Sequence, residues 1–300
     1  MQSFDATCFD VRHASFQNIV ACDVAIERLA AGFGFTEGPV WDAKSNRLIF
    51  SDMKHDHMRS WSASEGIKTF RQPSNRANGN AFDALGRLVS CEHVTSRVVR
   101  ENADGKLEVL ASHYNDKELN SPNDIIVKSD GSIYFTDPTY GRIREDLGLL
   151  RKPELEFQGV YRISAENGEL KLLADDFEQP NGLCLSLDEK KLFVNDTVRK
   201  QIRCFDAQSD GGVTGGEVWA VTTGDEPGAP DGMKVDSAGN LWCTGPGGIH
   251  VFDSGARWLG VVRTPEKSAN FVWGGEDRSS LFVTATTSLY RVRTKVPGRA

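Results

Sequence analysis

The sequence predicts an all-β fold, a six-bladed β-propeller whose ring is closed by an N-terminal strand. One degenerate segment occurs six times, and each copy opens with a small polar or acidic residue followed by a short apolar run. In every copy a Leu or Ile follows ten or eleven residues later, in a second apolar run. Successive copies begin 41, 45, 58, 50 and 39 residues apart, which is the period of four-stranded propeller blades and not of a helical solenoid. Their first residues are Glu37, Asn78, Asn123, Asn181, Asp231 and Asn270.

The two ends of the chain are predicted to form one blade. Residues 23–33 resemble the ends of later units, such as 105–114 and 168–177, although they precede the first polar start. The last unit stops one strand short, at residues 288–296. We therefore expect the N-terminal strand to complete the last blade and to remove the free edge of an open ring. Residues 1–21 have weak periodicity and are interpreted as a variable leader that lies against the ring.

Within each unit, the first strand is followed by a turn and a second apolar strand, and two further strands complete the blade. The turns are rich in Asn, Asp and Gly, which suit left-handed backbone conformations. The longest interval contains residues 138–159, after the second strand of the third unit. A loop of this length in a compact ring is usually functional or mobile. We interpret it as a rim or lid over the site, with a position on the flank of the ring as the alternative.

The composition fits a single domain over residues 1–300, because a closed ring of six units uses the whole chain. The formal net charge is −7 without a basic block, so neither nucleic acid nor an anionic membrane is expected as a partner. No apolar run approaches the roughly 20 residues of a membrane span, and the amino terminus lacks the apolar segment of a secretory signal. We therefore expect a cytoplasmic protein.

The cysteines show neither CxxC pairs nor a short disulfide framework, and several lie in strand-like runs. Buried thiols are expected rather than disulfides or metal ligands. The residues concerned are Cys8, Cys22, Cys91, Cys184, Cys204 and Cys243.

The six polar starts indicate a cation site, because equivalent positions at the beginning of each innermost strand face the central axis of a propeller. Two of them are carboxylates and four are amides, with no Lys or Arg among them. Buried acceptor oxygens that carry negative charge are unfavourable unless a cation lies between them. An all-oxygen set without Cys or His favours calcium or a similar hard ion over a dedicated zinc site. The alternative is that each side chain caps loop amides of its own blade.

Antiparallel pairing returns the second strand of each unit to the end where its first strand began. Asp52, Glu92 with His93, Asp137 and Asp196 are therefore predicted near the same rim. Polar residues at strand ends commonly satisfy neighbouring backbone groups, and this structural role is the simpler interpretation of each. The sequence contains neither a GxSxG nucleophile elbow nor a Walker pattern, which argues against serine-hydrolase and phosphate-loop chemistry.

Four segments of the chain resemble the gluconolactonase and regucalcin (senescence marker protein) family of six-bladed propellers. The likeness extends from about residue 23 to residue 295 and keeps the order of the family's segments. It implies a divalent metal, calcium in many members, held by the positions that match Glu37, Asn181 and Asp231, with Asn123 as ligand or substrate contact. The segments are FTEGPVWD, SPND with FTDPTYG following, QPNGLCLS and PDGMKVD.

One position departs from the regucalcin pattern. Regucalcin-like members have an Arg that contacts sugar hydroxyls two residues before the position of Asn123, where this chain has Ser121 followed by Pro122. In this respect the chain resembles the bacterial and plant lactonase branch. Sugar contacts are then expected from other residues, and the candidates are Asn78, Asn80, Glu92, His93, Asn123 and Tyr140.

The resemblance implies a metal-dependent lactonase that hydrolyses an aldonolactone of the gluconolactone type to the free acid. The metal would polarise the lactone carbonyl, water would be the nucleophile, and Asp231 is our candidate for the general base. Calcium is the expected ion, and zinc, magnesium and manganese are the alternatives. For the oligomeric state, both a monomer and a small homo-oligomer are compatible with the sequence. Two alternatives are a metal-dependent phosphotriester hydrolase and a non-catalytic binding propeller with a structural ion.

Overall fold

The computed structural model describes residues 2–4, 8–21 and 23–299 and consists almost entirely of β-strands. The chain starts with β1 (Gln2–Phe4), β2 (Phe9–Val11), a 3₁₀ turn at Ala14–Asn18 and β3 (Ile26–Ala31). Six antiparallel sheets then follow as blades around a central channel, which confirms the predicted six-bladed propeller.

The first three blades are four-stranded. Blade 1 contains β4 (Thr36–Asp42), β5 (Arg47–Asp52), a 3₁₀ turn at Met53–His55, β6 (His57–Ser62) and β7 (Gly66–Arg71). Blade 2 contains β8 (Ala77–Phe82), β9 (Leu88–Glu92), β10 (Arg97–Glu101) and β11 (Leu107–Ala111), and is followed by a hairpin of β12 (His113–Tyr114) and β13 (Lys117–Glu118). Blade 3 contains β14 (Ile125–Val127), β15 (Ile133–Asp137), the short helix α1 (Tyr140–Ile143), β16 (Gln158–Ile163) and β17 (Leu170–Phe177).

The remaining strands complete the ring. Blade 4 contains β18 (Pro180–Leu185), β19 (Lys191–Asp196), β20 (Gln201–Ala207) and β21 (Val213–Val221). Blade 5 contains β22 (Met233–Val235), β23 (Leu241–Gly245), β24 (Gly248–Phe252) and β25 (Trp258–Val262). Blade 6 contains β26 (Ser268–Gly274), β27 (Ser280–Ala285) and β28 (Ser288–Arg293).

The N-terminal strand closes the ring as predicted. β3 pairs antiparallel with β28, so that residues near both ends of the chain share blade 6. The leader also has structure, because β1 extends blade 6 beyond β3 and β2 extends blade 5 beyond β25. Phe16 of the leader is completely buried in the same apolar cluster as Trp242 and Trp273. The described part of the leader therefore belongs to the core of the ring and joins two blades.

Apolar side chains pack between neighbouring blades. For example, the indole rings of Trp242 in blade 5 and Trp273 in blade 6 have centroids 5.1 Å apart. Free thiols include Cys91, Cys184, Cys204 and Cys243. Cys8 is buried, and Cys22 lies outside the described residues. Among the helices that the structure describes, none has the length and apolar character that a membrane crossing requires.

The innermost strands approach each other closely at the residue after the polar start of four blades. A methyl group added at Gly182 would lie 1.9 Å from the carbonyl oxygen of Asp231, and one added at Gly232 would lie 2.2 Å from the side chain of Asn270. Contacts this short exclude any side chain larger than hydrogen. The neighbouring polar starts therefore pack directly against these glycines, which are Gly38, Gly79, Gly182 and Gly232.

Polar residues near the end of the second strand join neighbouring blades. In three blades the side chain of this residue donates a hydrogen bond to the backbone carbonyl of the next polar start. These bonds fix the position of one inner strand relative to the next. They run from Ser51 to Asn78 at 2.8 Å, from Thr136 to Asn181 at 2.7 Å and from Asn195 to Asp231 at 2.7 Å.

The close approach of the inner strands predicts a large difference between two Gly→Ala substitutions. Gly182→Ala should lower the free energy of unfolding by about 3 kcal/mol or more, because its methyl group overlaps backbone atoms of the next blade. Gly86→Ala is the control, since Gly86 has positive φ but no neighbouring atom near its added methyl group. The free energy of unfolding of this control variant should fall by only about 1–2 kcal/mol, the cost of an Ala in the left-handed backbone conformation. Urea denaturation measures both, and equal losses would contradict the packing argument.

Candidate functional site

The structure brings the polar starts of the blades together at one end of the channel. The Asp231 carboxylate interacts with the side chains of Glu37 and Asn181. Asn270 Nδ2 donates a hydrogen bond to Glu37 Oε2 at 3.0 Å, which joins the last blade to the first. Blades 2 and 3 are joined in the same ring by a hydrogen bond from the Asn78 amide to the Asn123 side chain. Glu37 and Asp231 are thus neighbours in space, although most of the ring separates them in sequence.

Glu37 is a buried carboxylate with one unsatisfied oxygen. Only 3% of its surface is exposed. Oε2 accepts hydrogen bonds from Asn270 and from the backbone amide of Gly38, whereas Oε1 has no hydrogen-bond partner among the described residues. Burial, followed by the charges of Asp231 and Asp124, raises the pKa of Glu37 well above its ordinary value. A positive ion beside Oε1 would remove this penalty.

Asp231 lies two residues before β22, the inner strand of blade 5, and part of its surface remains open to solvent. Removal from bulk water nevertheless raises its pKa to about 7. The positive charge of Lys267 opposes this shift and the negative charge of Asp124 adds to it, while the adjacent side chains of Glu37 and Asn181 lower the pKa. Two carboxyl groups in contact therefore compete for ionisation at neutral pH.

Asp124 is a third carboxylate at this end of the channel, and the sequence analysis did not single it out. It is 4% exposed. Oδ1 accepts a hydrogen bond from the Ile125 amide at 2.9 Å, and Oδ2 is unpartnered within the described part of the chain. Burial raises the pKa of Asp124, and the charge of Lys234 opposes the shift. The sequence did contain a signal, because four of the other five units have Gly at this position.

The acidic residues at the ends of the second strands mainly hold loops. Asp52 accepts a hydrogen bond from the Gly34 amide, Asp137 from the Asn120 amide and Asp196 from the Glu178 amide, each at 2.8 Å. Their carboxylates thus replace hydrogen bonds that the turning backbone cannot make. This geometry favours the structural interpretation given to them above.

Two of the substrate candidates are surrounded by protein partners. The Asn80 amide bridges the carbonyl of Gly38 at 2.8 Å and the hydroxyl of Ser90 at 2.6 Å. Glu92 accepts hydrogen bonds from Thr95 at 2.6 Å and from Arg97 at 2.7 Å. Both side chains are buried. Asn80 joins blade 2 to blade 1, and Glu92 stabilises the turn after β9 in blade 2.

Asn78 and His93 are linked to each other and to Asn123. Asn78 Nδ2 donates a hydrogen bond to Asn123 Oδ1, and the same nitrogen lies 3.3 Å from Nε2 of His93. His93 Nδ1 lies 3.1 Å from the carbonyl oxygen of Leu147. All three polar side chains are buried.

Residues 138–157, the rim segment, join β15 to β16 and contact this end of the channel. Buried Arg142 anchors the segment through a 2.6 Å hydrogen bond from Nε to the Asn120 carbonyl. Burial raises the pKa of Tyr140, the charge of Asp231 raises it further, and the nearby Thr197 side chain opposes these effects. Thr197 also accepts a hydrogen bond from Asn181 at 3.1 Å. The segment therefore reaches the ring of polar starts through Tyr140.

Ser121 stands where regucalcin-like members have an Arg, and its contacts with the rim segment give a structural reason for the difference. Its hydroxyl accepts a hydrogen bond from the Gly141 amide at 2.9 Å and donates one to the Pro138 carbonyl at 2.5 Å. A methyl group at Gly141 would lie 2.8 Å from the Ser121 side chain. The rim segment thus occupies the space that a longer side chain at position 121 would need.

A separate cavity of about 380 Å³ lies farther along the inner strands. Its walls are mainly apolar, with Val40, Ile125 and Val235 among them, and neither Glu37 nor Asp231 borders it. The Glu37 and Asp231 carboxylates therefore lie outside this cavity, at the end of the channel that the rim segment contacts.

The comparisons with known proteins agree with this architecture. Residues 35–287 match the family described as the SMP-30/Gluconolactonase/LRE-like region. The chain belongs to this family. The resemblance found in the sequence is thereby confirmed.

Individual relatives match over most of their length. The chain is 32% identical to a gluconolactonase of Zymomonas mobilis, over 93% of this chain and 84% of the relative. It is 25% identical to a pentonolactonase of Haloferax volcanii, over 83% of this chain and 80% of the relative. The solved structure of a Xanthomonas campestris gluconolactonase superposes with a TM-score of 0.89 at 32% identity, covering 98% of this chain and 97% of that one.

Ionisation of Asp231 should destabilise the metal-free protein as the pH rises. Its folded-state pKa of about 7 exceeds the ordinary value of 3.8, so between these values the folded state binds more protons than the unfolded state. The contribution of this group to stability is present at low pH and is lost as the pH rises through about 7. Asp231→Asn cannot ionise and should avoid this loss.

Urea denaturation in a chelator at about pH 5 and about pH 8 measures the effect. The free energy of unfolding of the wild type should fall by about 1 kcal/mol or more relative to that of Asp231→Asn between these values. Carboxyl groups distant from position 231 contribute equally to both proteins. Glu37 is relieved of the Asp231 charge in the variant and therefore adds to the same difference, so parallel pH profiles would contradict the assignment.

Proposed function

We propose that the protein is a metal-dependent hydrolase of sugar lactones, with a divalent cation held by Glu37, Asn123, Asn181 and Asp231. The observation that carries this proposal is the contact between two carboxylates, Glu37 and Asp231, with Oε1 of Glu37 unsatisfied. The lactonases to which the chain is similar support the choice of substrate class.

The residues of the ring fit a hard cation. Among the described residues, no group of three or more His, Cys, Asp and Glu side chains is arranged as a metal site, so amide oxygens must complete the coordination. Two carboxylates with two amides offer oxygen ligands only and leave the bound ion a good electrophile. This chemistry favours calcium, with magnesium and manganese as the nearer substitutes and zinc as the poorer one.

In the proposed mechanism the cation, when bound, supplies Lewis acidity toward the lactone carbonyl. Asp231 acts as the general base, because the residue keeps some exposure to solvent and its carboxylate can take a proton from an attacking water molecule. Glu37 is fixed by Asn270 and the Gly38 amide and serves as an anchoring ligand. Ring opening then yields the free acid.

Substrate contacts are proposed for the side chains that face the ring from the rim. Tyr140 has a buried hydroxyl that lies close to Thr197 and to the charge of Asp231. Asn80 and Glu92 are less favourable candidates, because hydrogen bonds to groups of blades 1 and 2 already occupy their polar atoms. No observation favours a phosphotriester or a purely structural ion over the lactonase.

We also propose a cytoplasmic protein that acts on a small molecule as a monomer or small homo-oligomer. Free thiols such as Cys184 and Cys243 are typical of a reducing compartment. The net charge of −7 disfavours binding to nucleic acid or to an anionic membrane.

Removal of the metal should abolish hydrolysis and lower the melting temperature together, because the same ion supports catalysis and neutralises the carboxylates. A pH-stat assay of the chelated protein with several aldonolactones, restored with calcium, magnesium, manganese or zinc in turn, measures activity. An organophosphate triester tested in parallel addresses the rival reaction. Full lactonase activity after chelation would rule out the proposed site, and metal-dependent stability without turnover would indicate a structural ion.

Asp231→Asn should reduce kcat by about 10²–10⁴-fold, the usual contribution of a general base. Asp137→Asn is the matched control, because Asp137 is also a buried carboxyl whose pKa is raised to about 7 by burial. The control variant should retain most of its activity. Calcium titration followed by thermal melting separates loss of the base from loss of the ion, and wild-type activity in Asp231→Asn would exclude its role as base.

A further inference from the structure

A chain of hydrogen bonds connects the rim segment to the ring of polar starts through His93. This residue follows β9 and is completely buried. Nδ1 lies 3.1 Å from the Leu147 carbonyl oxygen of the rim segment, and Nε2 lies 3.3 Å from Nδ2 of Asn78. Both ring nitrogens therefore have polar partners.

The chemistry of these partners determines where the protons are. A carbonyl oxygen can only accept a hydrogen bond, so Leu147 requires the proton on Nδ1 of His93. Burial lowers the pKa of His93 to about 4, which leaves the ring neutral and Nε2 an acceptor. Asn78 must then turn its NH₂ group, and not its oxygen, toward the ring.

The same orientation is required at Asn123. Asn78 Nδ2 donates its second hydrogen to Asn123 Oδ1. A flipped Asn78 amide would place its oxygen against Asn123 Oδ1 and against the lone pair of His93 Nε2, and neither contact could form a hydrogen bond. Both hydrogens of the amide are thus used by the protein, while Oδ1 has no partner in the described ranges of the chain. What remains is an acceptor that needs a donor from outside the protein.

We propose that His93 is a positioning residue for sugar recognition, which orients the Asn78 amide so that its oxygen accepts a hydrogen bond from a hydroxyl group of the bound lactone. This inference rests on the proposed lactonase function. It assigns direct substrate contact to Asn78 and an indirect role to His93. The position of the Leu147 carbonyl makes this contact depend on the rim segment.

The packing of the rim segment supports this dependence. A methyl group at Gly141 would lie 2.9 Å from the His93 side chain, so helix α1 packs directly against the imidazole of His93. Arg76 donates a hydrogen bond to the Gly148 carbonyl at 2.9 Å and holds the other side of the Leu147 turn. The imidazole is therefore confined between the segment and Asn78.

Two substitutions at His93 test the proposal, with metal-loaded protein throughout. His93→Phe keeps an aromatic ring but removes both nitrogens. His93→Gln offers an amide oxygen near the position of Nε2, where it can accept the Asn78 hydrogen bond. His250→Phe is the control, because His250 is equally buried and contacts the Pro246 carbonyl at 2.9 Å in blade 5.

The assay compares glucono-δ-lactone with δ-valerolactone, a lactone of the same ring size without hydroxyl groups, after subtraction of spontaneous hydrolysis. His93→Phe should raise KM and lower kcat/KM about tenfold for the hydroxylated lactone, the effect of one lost hydrogen bond, and change δ-valerolactone less than about twofold. His93→Gln should recover most of the difference. His250→Phe should lower stability without changing the ratio of the two substrates.

Equal losses on both lactones in His93→Phe, or no loss, would overturn the proposal while leaving the lactonase function intact. A changed calcium midpoint with an unchanged substrate ratio would assign the Asn78 oxygen to the cation and would also overturn it. Wild-type protein that hydrolyses neither lactone would instead overturn the proposed function itself.

Discussion

The direct contact between successive inner strands is the constraint on which the rest of the structure depends. At four places glycine follows the polar start because the neighbouring backbone or side chain occupies the position of a Cβ atom. This contact draws the polar starts into one small region. A ring with larger residues there would be wider, and its carboxylates and amides would be hydrated individually.

The same contact creates the electrostatic problem that defines the site. The charges of Asp231 and Asp124 raise the pKa of Glu37, and the charge of Asp124 raises that of Asp231. The described residues leave one oxygen of Glu37 and one of Asp124 unsatisfied. Buried like charges are unfavourable in a folded protein unless a cation or protons compensate them. The arrangement is therefore more consistent with ion binding than with structural caps, whereas the acids at the strand ends act as caps for loop amides.

The rim segment adds a second layer to this core. Its sequence is inserted into blade 3, but it contacts blade 2 through His93 and Arg76 and lies near blade 4 through Tyr140 and Thr197. Ser121 belongs to this layer, since its hydroxyl binds the segment instead of extending toward a ligand. The small side chain of Ser121 and the path of the rim segment therefore depend on each other.

The sequence by itself determined the number of blades, their boundaries, the closure by residues 23–33 and the set of polar starts, because repeated spacing and alternating apolar residues report local strand geometry. It also contained the aspartate at position 124, but only the tertiary structure gave that residue a role beside Glu37 and Asp231. The tertiary structure likewise decided the use of the leader in blades 5 and 6, the engagement of Asn80 and Glu92 by protein partners and the link from Leu147 through His93. Such contacts join residues from different blades, and no local pattern encodes which polar atoms will meet across a closed ring.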